Sequence, residues 1–127
     1  MKENVLSEKS YAFALRTVKL YKYIIDEHKE YVLSKQILRS GTSIGANIEE
    51  SVHAQSKNDF VHKLFIAQKE ASETGYWLKL LRDSSYLKPK LAESLLNCCE
   101  EIQKLLTASI KTESIKTEKS NLNNGER

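Results

Sequence analysis

The chain has 127 residues, of which 40% are hydrophobic and 29% are charged, a balance typical of one compact domain with one core. Its formal net charge of +3 is too small to assign a nucleic-acid partner, and no apolar run approaches the roughly 18 residues that span a bilayer. Because no apolar signal region follows the N-terminus, we expect a cytoplasmic protein. Cys98 and Cys99 form no CxxC pattern, which argues against a metal or redox motif.

The first predicted helix runs from about residue 9 to residue 28 and carries two apolar stripes. One stripe consists of Leu15, Val18 and Ile25 with Tyr11 and Tyr21, and the other of Phe13, Leu20 and Ile24. Two adjacent stripes indicate a helix that contacts neighbours on more than one side.

The second predicted helix, from about residue 35 to residue 54, is rich in small and polar side chains. Ser34 is expected to be its N-cap, because a serine hydroxyl accepts a hydrogen bond from a free backbone N–H. Gly41 and Gly45 each cost about 1 kcal/mol of helix propensity relative to alanine. Since they share one face, we expect another backbone to approach closely there. The apolar stripe of this helix consists of Ile37, Ile44, Ile48 and Val52.

Ser56 and Pro89 mark the starts of two further helices. Ser56 is predicted to cap a third helix over about residues 57–82. Pro89 suits the first turn of a fourth helix, where its missing N–H needs no partner. The stripe of the third helix consists of Phe60, Leu64, Ala67, Ala71, Leu78 and Leu81, and that of the fourth of Leu91, Leu95, Cys98 or Cys99, Ile102, Leu105 and Leu106.

These four helices, joined by short connections, predict an all-α fold. Short connections force consecutive helices to run antiparallel, so we expect an up-down-up-down antiparallel four-helix bundle. The bundle domain is predicted to occupy residues 1–110. Residues 111–127 are too polar to bury a face and are expected to form a disordered C-terminal tail.

The second helix contains the pattern Ser-x-x-Ser-Ile-x-x-Asn-Ile-x-Glu, which begins at Ser40. Together with Phe60, Ile66-Ala67 and the run 70–74, Glu-Ala-Ser-Glu-Thr, it resembles the bacterial family of 23S rRNA intervening sequence proteins. The similarity covers about residues 8–108. Gly45 and Ser51 depart from the family pattern, which often has proline and glycine at these two positions.

This resemblance implies four-helix bundles that assemble into cyclic homopentamers. Some members are encoded inside an insertion in ribosomal RNA genes. A similar bundle is the accessory variability protein of diversity-generating retroelements, a pentamer that engages a reverse transcriptase and nucleic acid. The resemblance implies no catalytic site and no cofactor.

Polar residues of the second helix, together with Glu73, form the first candidate site. They are Gln36, Arg39, Ser40, Ser43, Asn47, Glu50 and Glu73. One interpretation is a polar binding site. The favoured one is a buried structural network, in which Asn47 and Glu50 bond to a neighbouring helix or subunit and Arg39 pairs with Glu73.

Two Glu/Asp-x-x-His pairs raise the alternative of a metal centre. Glu50 and His53, and Asp59 and His62, have the spacing used by di-iron carboxylate bundles. Such a centre also needs carboxylates from the other two helices, and at that level the chain offers only residues near helix ends. We therefore predict no metal site. No strand-turn-helix nucleophile or glycine-rich phosphate loop is present in the sequence either.

Arg16, Lys19 and Lys22 share one face of the first helix and, with Tyr21 and Tyr23, could contact phosphates and bases. The alternative is an ordinary solvated face. The predicted function is a non-enzymatic oligomeric scaffold or binding module that engages RNA, DNA or a protein that handles them. A protein-interaction adaptor without nucleic-acid affinity is the second hypothesis, and a metal-dependent bundle enzyme is a remote third.

Overall fold

A computed structural model, which describes residues 2–125 and the side chains of residues 5–123, contains four α-helices. They are α1 (Lys2–His28), α2 (Leu33–Val52), α3 (Lys57–Asp83) and α4 (Pro89–Gly125). No strand occurs between residues 2 and 125, so the predicted all-α class is confirmed. The predicted starts of α3 and α4 agree with the structure, whereas α1 begins earlier than predicted.

Consecutive helices run antiparallel around a common core. Each helix packs against two others, and within the described residues α1 and α3 make no close approach. Arg39 of α2 contacts Glu73 of α3, whereas Glu50, later in α2, contacts Lys63, earlier in α3. The arrangement is therefore an up-down-up-down four-helix bundle with α1 and α3 on one diagonal.

The core takes one apolar stripe from each helix. On α1, Phe13, Leu20 and Ile24 are buried, whereas Tyr11 and Leu15 of the other stripe are exposed. Periodicity thus predicts both stripes, but only one of them closes the bundle. The other helices contribute Ile37, Ile44 and Ile48, then Leu64, Ala67, Ala71, Leu78 and Leu81, and finally Leu95, Cys99, Ile102 and Leu106.

Two predicted core residues, Val52 and Leu91, are exposed instead. Val52 is the last residue of α2, where the helix leaves the core. Leu91 lies in the first turn of α4, and the neighbouring Ala92 takes the buried position. Of the adjacent cysteines, Cys99 is buried and Cys98 is half-buried.

Helices α1 and α2 approach each other closely at the two glycines of α2. A methyl group at Gly41 would lie 2.6 Å from Cγ2 of Thr17, and one at Gly45 would lie 3.3 Å from the carbonyl oxygen of Ser10. Thr17 is itself held in place, because its hydroxyl donates to the carbonyl of Phe13 at 2.9 Å. The predicted close approach is confirmed, and α1 is the helix that makes it.

The prediction for the start of α2 is wrong. Ser34 lies inside the helix, and its hydroxyl donates to the carbonyl of Glu30 at 2.7 Å. The carboxylate of Glu30 instead accepts from the backbone N–H groups of residues 32, 33 and 34. Burial raises the pKa of Glu30, but these hydrogen bonds outweigh it and hold the pKa below its usual value.

At the start of α3, by contrast, the prediction is confirmed. The hydroxyl of Ser56 accepts a hydrogen bond from the backbone N–H of Asp59 at 3.1 Å. Asp59 itself lies in the first turn, where the helix dipole favours a negative charge.

Helix α4 continues to Gly125, although the sequence predicts a disordered tail from residue 111. No glycine or proline interrupts the segment before Gly125, and its lysines and glutamates are compatible with a helix. All side chains from residue 114 to residue 123 are exposed. The domain boundary at residue 110 stays a prediction, and residues 126 and 127 of the predicted tail lie outside the described residues.

Candidate functional site

The polar residues of α2 meet α3 along a seam between the two helices. The guanidinium of Arg39 contacts the carboxylates of both Glu70 and Glu73, with the Glu70 contact at 3.0 Å. Glu73 also accepts a hydrogen bond from the indole N–H of Trp77 at 3.0 Å. Bonds to Trp77 and Arg39 outweigh burial and hold the pKa of Glu73 below its usual value.

Deeper in the same seam, Ser40 and Thr74 form a buried hydroxyl pair. Thr74 Oγ1 lies 3.0 Å from Ser40 Oγ and also 2.8 Å from the carbonyl oxygen of Glu70. Both side chains are almost completely inaccessible to solvent. A pair of this kind satisfies two polar groups that would otherwise be costly to bury.

The other predicted network residues divide between α3 and their own helix. Glu50 pairs with Lys63 of α3 at 3.0 Å. Ser43 donates to the carbonyl of Arg39, and Asn47 donates to the carbonyl of Ser43, so both bond within α2. Gln36 is half-buried and makes no side-chain hydrogen bond within the described residues. Among the described residues, the hydrogen bond of the Asn47 side chain thus stays within α2, and its predicted bond to a neighbouring helix or subunit stays a prediction.

Three further residues of α3 take part in this seam, although the sequence does not predict these contacts. Glu70, Thr74 and Trp77 recur at spacings of three and four residues on α3, on the face that meets Arg39 and Ser40. Once α2 and α3 are known to be neighbours, this spacing identifies the three residues as candidates for the same face.

A second polar seam joins α1 to α4. Arg16 donates to Ser94 Oγ at 3.0 Å and to Cys98 Sγ at 3.3 Å, and Lys9 pairs with Glu101 at 2.8 Å. Arg16 is thus engaged with α4, whereas Lys19 and Lys22 are exposed. The three predicted basic residues therefore differ in their surroundings, and Ser94 is a partner that sequence patterning does not reveal.

The two Glu/Asp-x-x-His pairs are not brought together as a metal centre. His53 lies beside Glu49 at 3.6 Å, and Glu50 is paired with Lys63. Within the described part of the chain, no three histidine, cysteine, aspartate or glutamate side chains are grouped so as to hold a metal ion.

The buried thiol of Cys99 is a structural group. Its sulfur lies 3.2 Å from the carbonyl oxygen of Ala71, to which it donates across the α3–α4 contact. Burial raises its pKa to about 11, so the thiolate that nucleophilic chemistry requires is scarce at neutral pH. From residue 2 to residue 125, every helix is also too short or too polar to serve as a membrane span.

Together these features define a small all-α protein, a four-helix bundle held in register by polar seams. The family model of 23S rRNA-intervening sequence proteins matches residues 2–108, and the chain belongs to this family.

A solved structure from Bacteroides thetaiotaomicron, described as a protein with unknown function from the S23 ribosomal protein family, is similar to this chain. It has a TM-score of 0.86 and 57% sequence identity, and the match covers 87% of this chain and 99% of that one. No curated protein shows significant similarity. The resemblance carried by the pattern beginning at Ser40 is confirmed.

Proposed function

We propose that this protein is a non-enzymatic subunit of a cyclic homopentamer. The assembly acts as a scaffold that presents a repeated basic surface to nucleic acid or to a protein that handles it. The observation that carries the proposal is a pair of exposed apolar faces on α1 and α3, the two helices that lie on one diagonal of the bundle.

The face on α1 is the stripe that the core does not use. Tyr11 is 67% exposed and Leu15 is 50% exposed, and they lie one turn apart. Val18, one further turn along, is half-buried and extends the same face. We name this surface the α1 face.

The second surface lies on α3 and contains two exposed aromatic side chains. Phe65 is 52% exposed and Tyr76 is 61% exposed. Their spacing of eleven residues is close to three helical turns, so they lie on one side of α3. We name this surface the α3 face.

Two different apolar faces on opposite sides of one bundle suit a head-to-tail contact. When the α1 face of one copy packs on the α3 face of the next, each copy still offers one free face. Such heterologous contacts close into a ring if the rotation between copies permits. Five copies of a chain with net charge +3 carry +15, and repeated weak sites gain avidity.

Light scattering on the purified protein tests the assembly. We expect a mass of five times 14.6 kDa at micromolar concentration. Leu15→Glu and Phe65→Glu should each reduce the mass to that of one chain, because each places a charge in one face. The matched control is Leu122→Glu, an equally apolar exposed residue near the end of α4, which should leave the mass unchanged.

A monomer of the unaltered protein at that concentration contradicts the ring. Circular dichroism on each variant checks that the helices remain intact, so that a lower mass reports assembly and not unfolding. Titration of the same samples with labelled RNA and duplex DNA separates the scaffold for nucleic acid from the protein-only adaptor, since only the former binds with strong salt dependence.

A further inference from the structure

One end of the bundle carries the α1–α2 and α3–α4 connections and has a surplus of unpaired positive charge. We name it the basic end. The lysines near it that form no salt bridge with any described carboxylate include Lys19, Lys22, Lys29, Lys35, Lys88 and Lys90. Three exposed carboxylates there also lack an ion-pair partner among the described residues: Asp26, Glu27 and Glu93.

The remaining carboxylates at this end are already occupied. Glu73 is paired with Arg39, and Asp83 is paired with Arg82. Glu30 accepts three backbone N–H groups at the start of α2. The same bonds occupy the N–H groups with which α2 could otherwise bind an anion, so at the start of that helix the nearby lysine side chains are the groups that can meet a polyanion.

Aromatic rings lie among these lysines. His28 stands edge-on to Tyr23, with ring centroids 5.8 Å apart, and edge-on to Tyr86, with centroids 5.4 Å apart. The cluster joins the end of α1 to the α3–α4 connection. Tyr23 is 38% exposed and Tyr31 is also exposed, so two tyrosine rings at this end are accessible from solvent.

Tyr23 also lines a groove between α1 and α4. Leu91 and Leu95 of α4 supply apolar lining, and Arg16 and Lys19 of α1 contribute the positive charges. Leu91, the predicted core residue that is exposed, therefore lies in this groove. A flat apolar ligand attached to negative charges fits such a surface, because its ring covers the exposed Leu91 while Lys19 lies in the groove and the exposed Lys22 follows it three residues along α1.

We propose that this groove binds a single-stranded nucleic acid, with an unpaired base stacked on Tyr23 and adjacent phosphates on Lys19 and Lys22. The inference rests on the proposed function and specifies its ligand and its site. A single strand is favoured over a duplex because stacking on Tyr23 and covering Leu91 require a free base face, which a duplex keeps inside its stack. Charge complementarity comes from the unpaired lysines of the basic end.

Fluorescence anisotropy tests the inference on the intact protein. The probes are a labelled mixed-sequence RNA of about 12 nucleotides, the DNA strand of the same sequence, and both duplexes. We expect one or both single strands to bind more tightly than the duplexes. Tyr23→Ala should weaken single-strand binding about tenfold, whereas Tyr23→Phe, which keeps the ring, should retain it.

Charge is tested by two matched double variants. Lys19→Gln with Lys22→Gln should reduce the slope of log affinity against log salt by about 1 to 1.5. Lys111→Gln with Lys119→Gln removes the same charge from exposed α4 positions far from the groove and should leave the slope nearly unchanged. Photochemical crosslinking of the bound strand should place the crosslink at Tyr23 or at the first turns of α4.

The outcomes separate the two proposals. Tighter binding of duplexes, or single-strand binding that Tyr23→Ala and the Lys19/Lys22 pair leave unchanged, overturns the groove assignment while the nucleic-acid scaffold stands. Failure of the folded ring to bind any probe at low salt overturns both the groove and the nucleic-acid role. In that case, the mass from light scattering still shows whether the protein assembles, independently of nucleic-acid binding.

Discussion

Gly41 and Gly75 are both glycines inside long helices, but their surroundings are opposite. A methyl group at Gly41 would meet the fixed side chain of Thr17, whereas one at Gly75 would have no atom within 4 Å apart from those of its chain neighbours and the adjacent backbone of its own helix. The sequence indicates a close approach at Gly41 from its spacing to Gly45. It contains no comparable signal for Gly75, because only the packed neighbours show whether a position is crowded or open.

We expect Gly41→Ala and Gly75→Ala to change stability in opposite directions. Gly41→Ala should lower the free energy of unfolding by about 1 to 3 kcal/mol, because α1 must shift to relieve the contact with Thr17. Gly75→Ala should raise it by up to about 1 kcal/mol through helix propensity. Urea unfolding followed by circular dichroism measures both, and adding Thr17→Ala to Gly41→Ala should recover part of the loss. A double variant with strictly additive losses contradicts the contact.

Glu73 makes a residue-scale prediction about pH. Its pKa is held below the usual value of 4.5, chiefly by the Trp77 indole and also by Arg39. A carboxyl group with a lowered folded-state pKa stabilises the fold above its unfolded pKa, and this contribution is lost as the pH falls through the folded pKa. Glu73→Gln should therefore make the free energy of unfolding less sensitive to pH below about 4.5.

The pH dependence is measured by urea unfolding at a series of pH values. Glu100→Gln is the matched control, since Glu100 is exposed and makes only an ion pair with Lys104 on its own helix. If both variants keep the same acid dependence as the parent protein, the seam around Glu73 does not hold its carboxylate as described.

At the scale of the element, the sequence predicts helices better than it predicts their ends. Ser56 caps α3 as expected, but Glu30 replaces Ser34 at the start of α2. A serine before a helix is a local signal. The cap formed by Glu30, whose carboxylate accepts from three N–H groups that follow it, depends instead on the conformation of the connection. In that connection, Lys29 has a positive φ of 51°.

The two apolar stripes of α1 show that sequence periodicity does not tell which face of a helix packs in the core. Periodicity identifies both Phe13–Leu20–Ile24 and Tyr11–Leu15–Val18 as apolar, but it does not assign either stripe to a neighbour. The structure assigns the first to the core and leaves Tyr11 and Leu15 of the second exposed and Val18 half-buried. The partner of Arg39 is predictable, because α2 and α3 are consecutive and antiparallel helices. The contact of Arg16 with Ser94 and Cys98 is not predictable in this way, because it joins the first helix to the last.

The end of α4 gives a prediction about an element with few tertiary contacts. Removing residues 115–127 deletes side chains that, where described, are all exposed. We expect the free energy of unfolding to change by no more than about 0.5 kcal/mol, because no described core contact is lost. Hydrogen exchange of the full chain should find weak protection there, since a short helix without a packed face is marginal in water. Strong protection in this segment contradicts the prediction and indicates that it packs on another copy.

At the scale of the whole molecule, the proposed head-to-tail contact between the two apolar faces makes a prediction about mixtures of variants. Leu15→Glu disables the α1 face and keeps the α3 face, whereas Phe65→Glu does the reverse. Each variant alone should be a monomer. A mixture should form a one-to-one dimer of twice 14.6 kDa, because one intact face of each kind remains and no further contact is available.

Light scattering of the mixture decides between contact types. A symmetric contact that pairs one face with itself gives a different pattern, since a variant with that face intact dimerises without its counterpart. The mass of the unaltered protein, measured in the same experiment, gives the number of copies in the closed assembly.

The two adjacent free cysteines allow the opening of this bundle to be followed by chemical modification. Cys98 lies half-buried beside Arg16, while Cys99 is sealed between α3 and α4 with its hydrogen on the carbonyl of Ala71. An alkylating reagent will modify Cys98 on the native chain long before Cys99, which has to wait until α4 separates from α3. The rate at which the second alkyl group is added, to Cys99, therefore reports how often α3 and α4 separate, without any dye, tag or substitution.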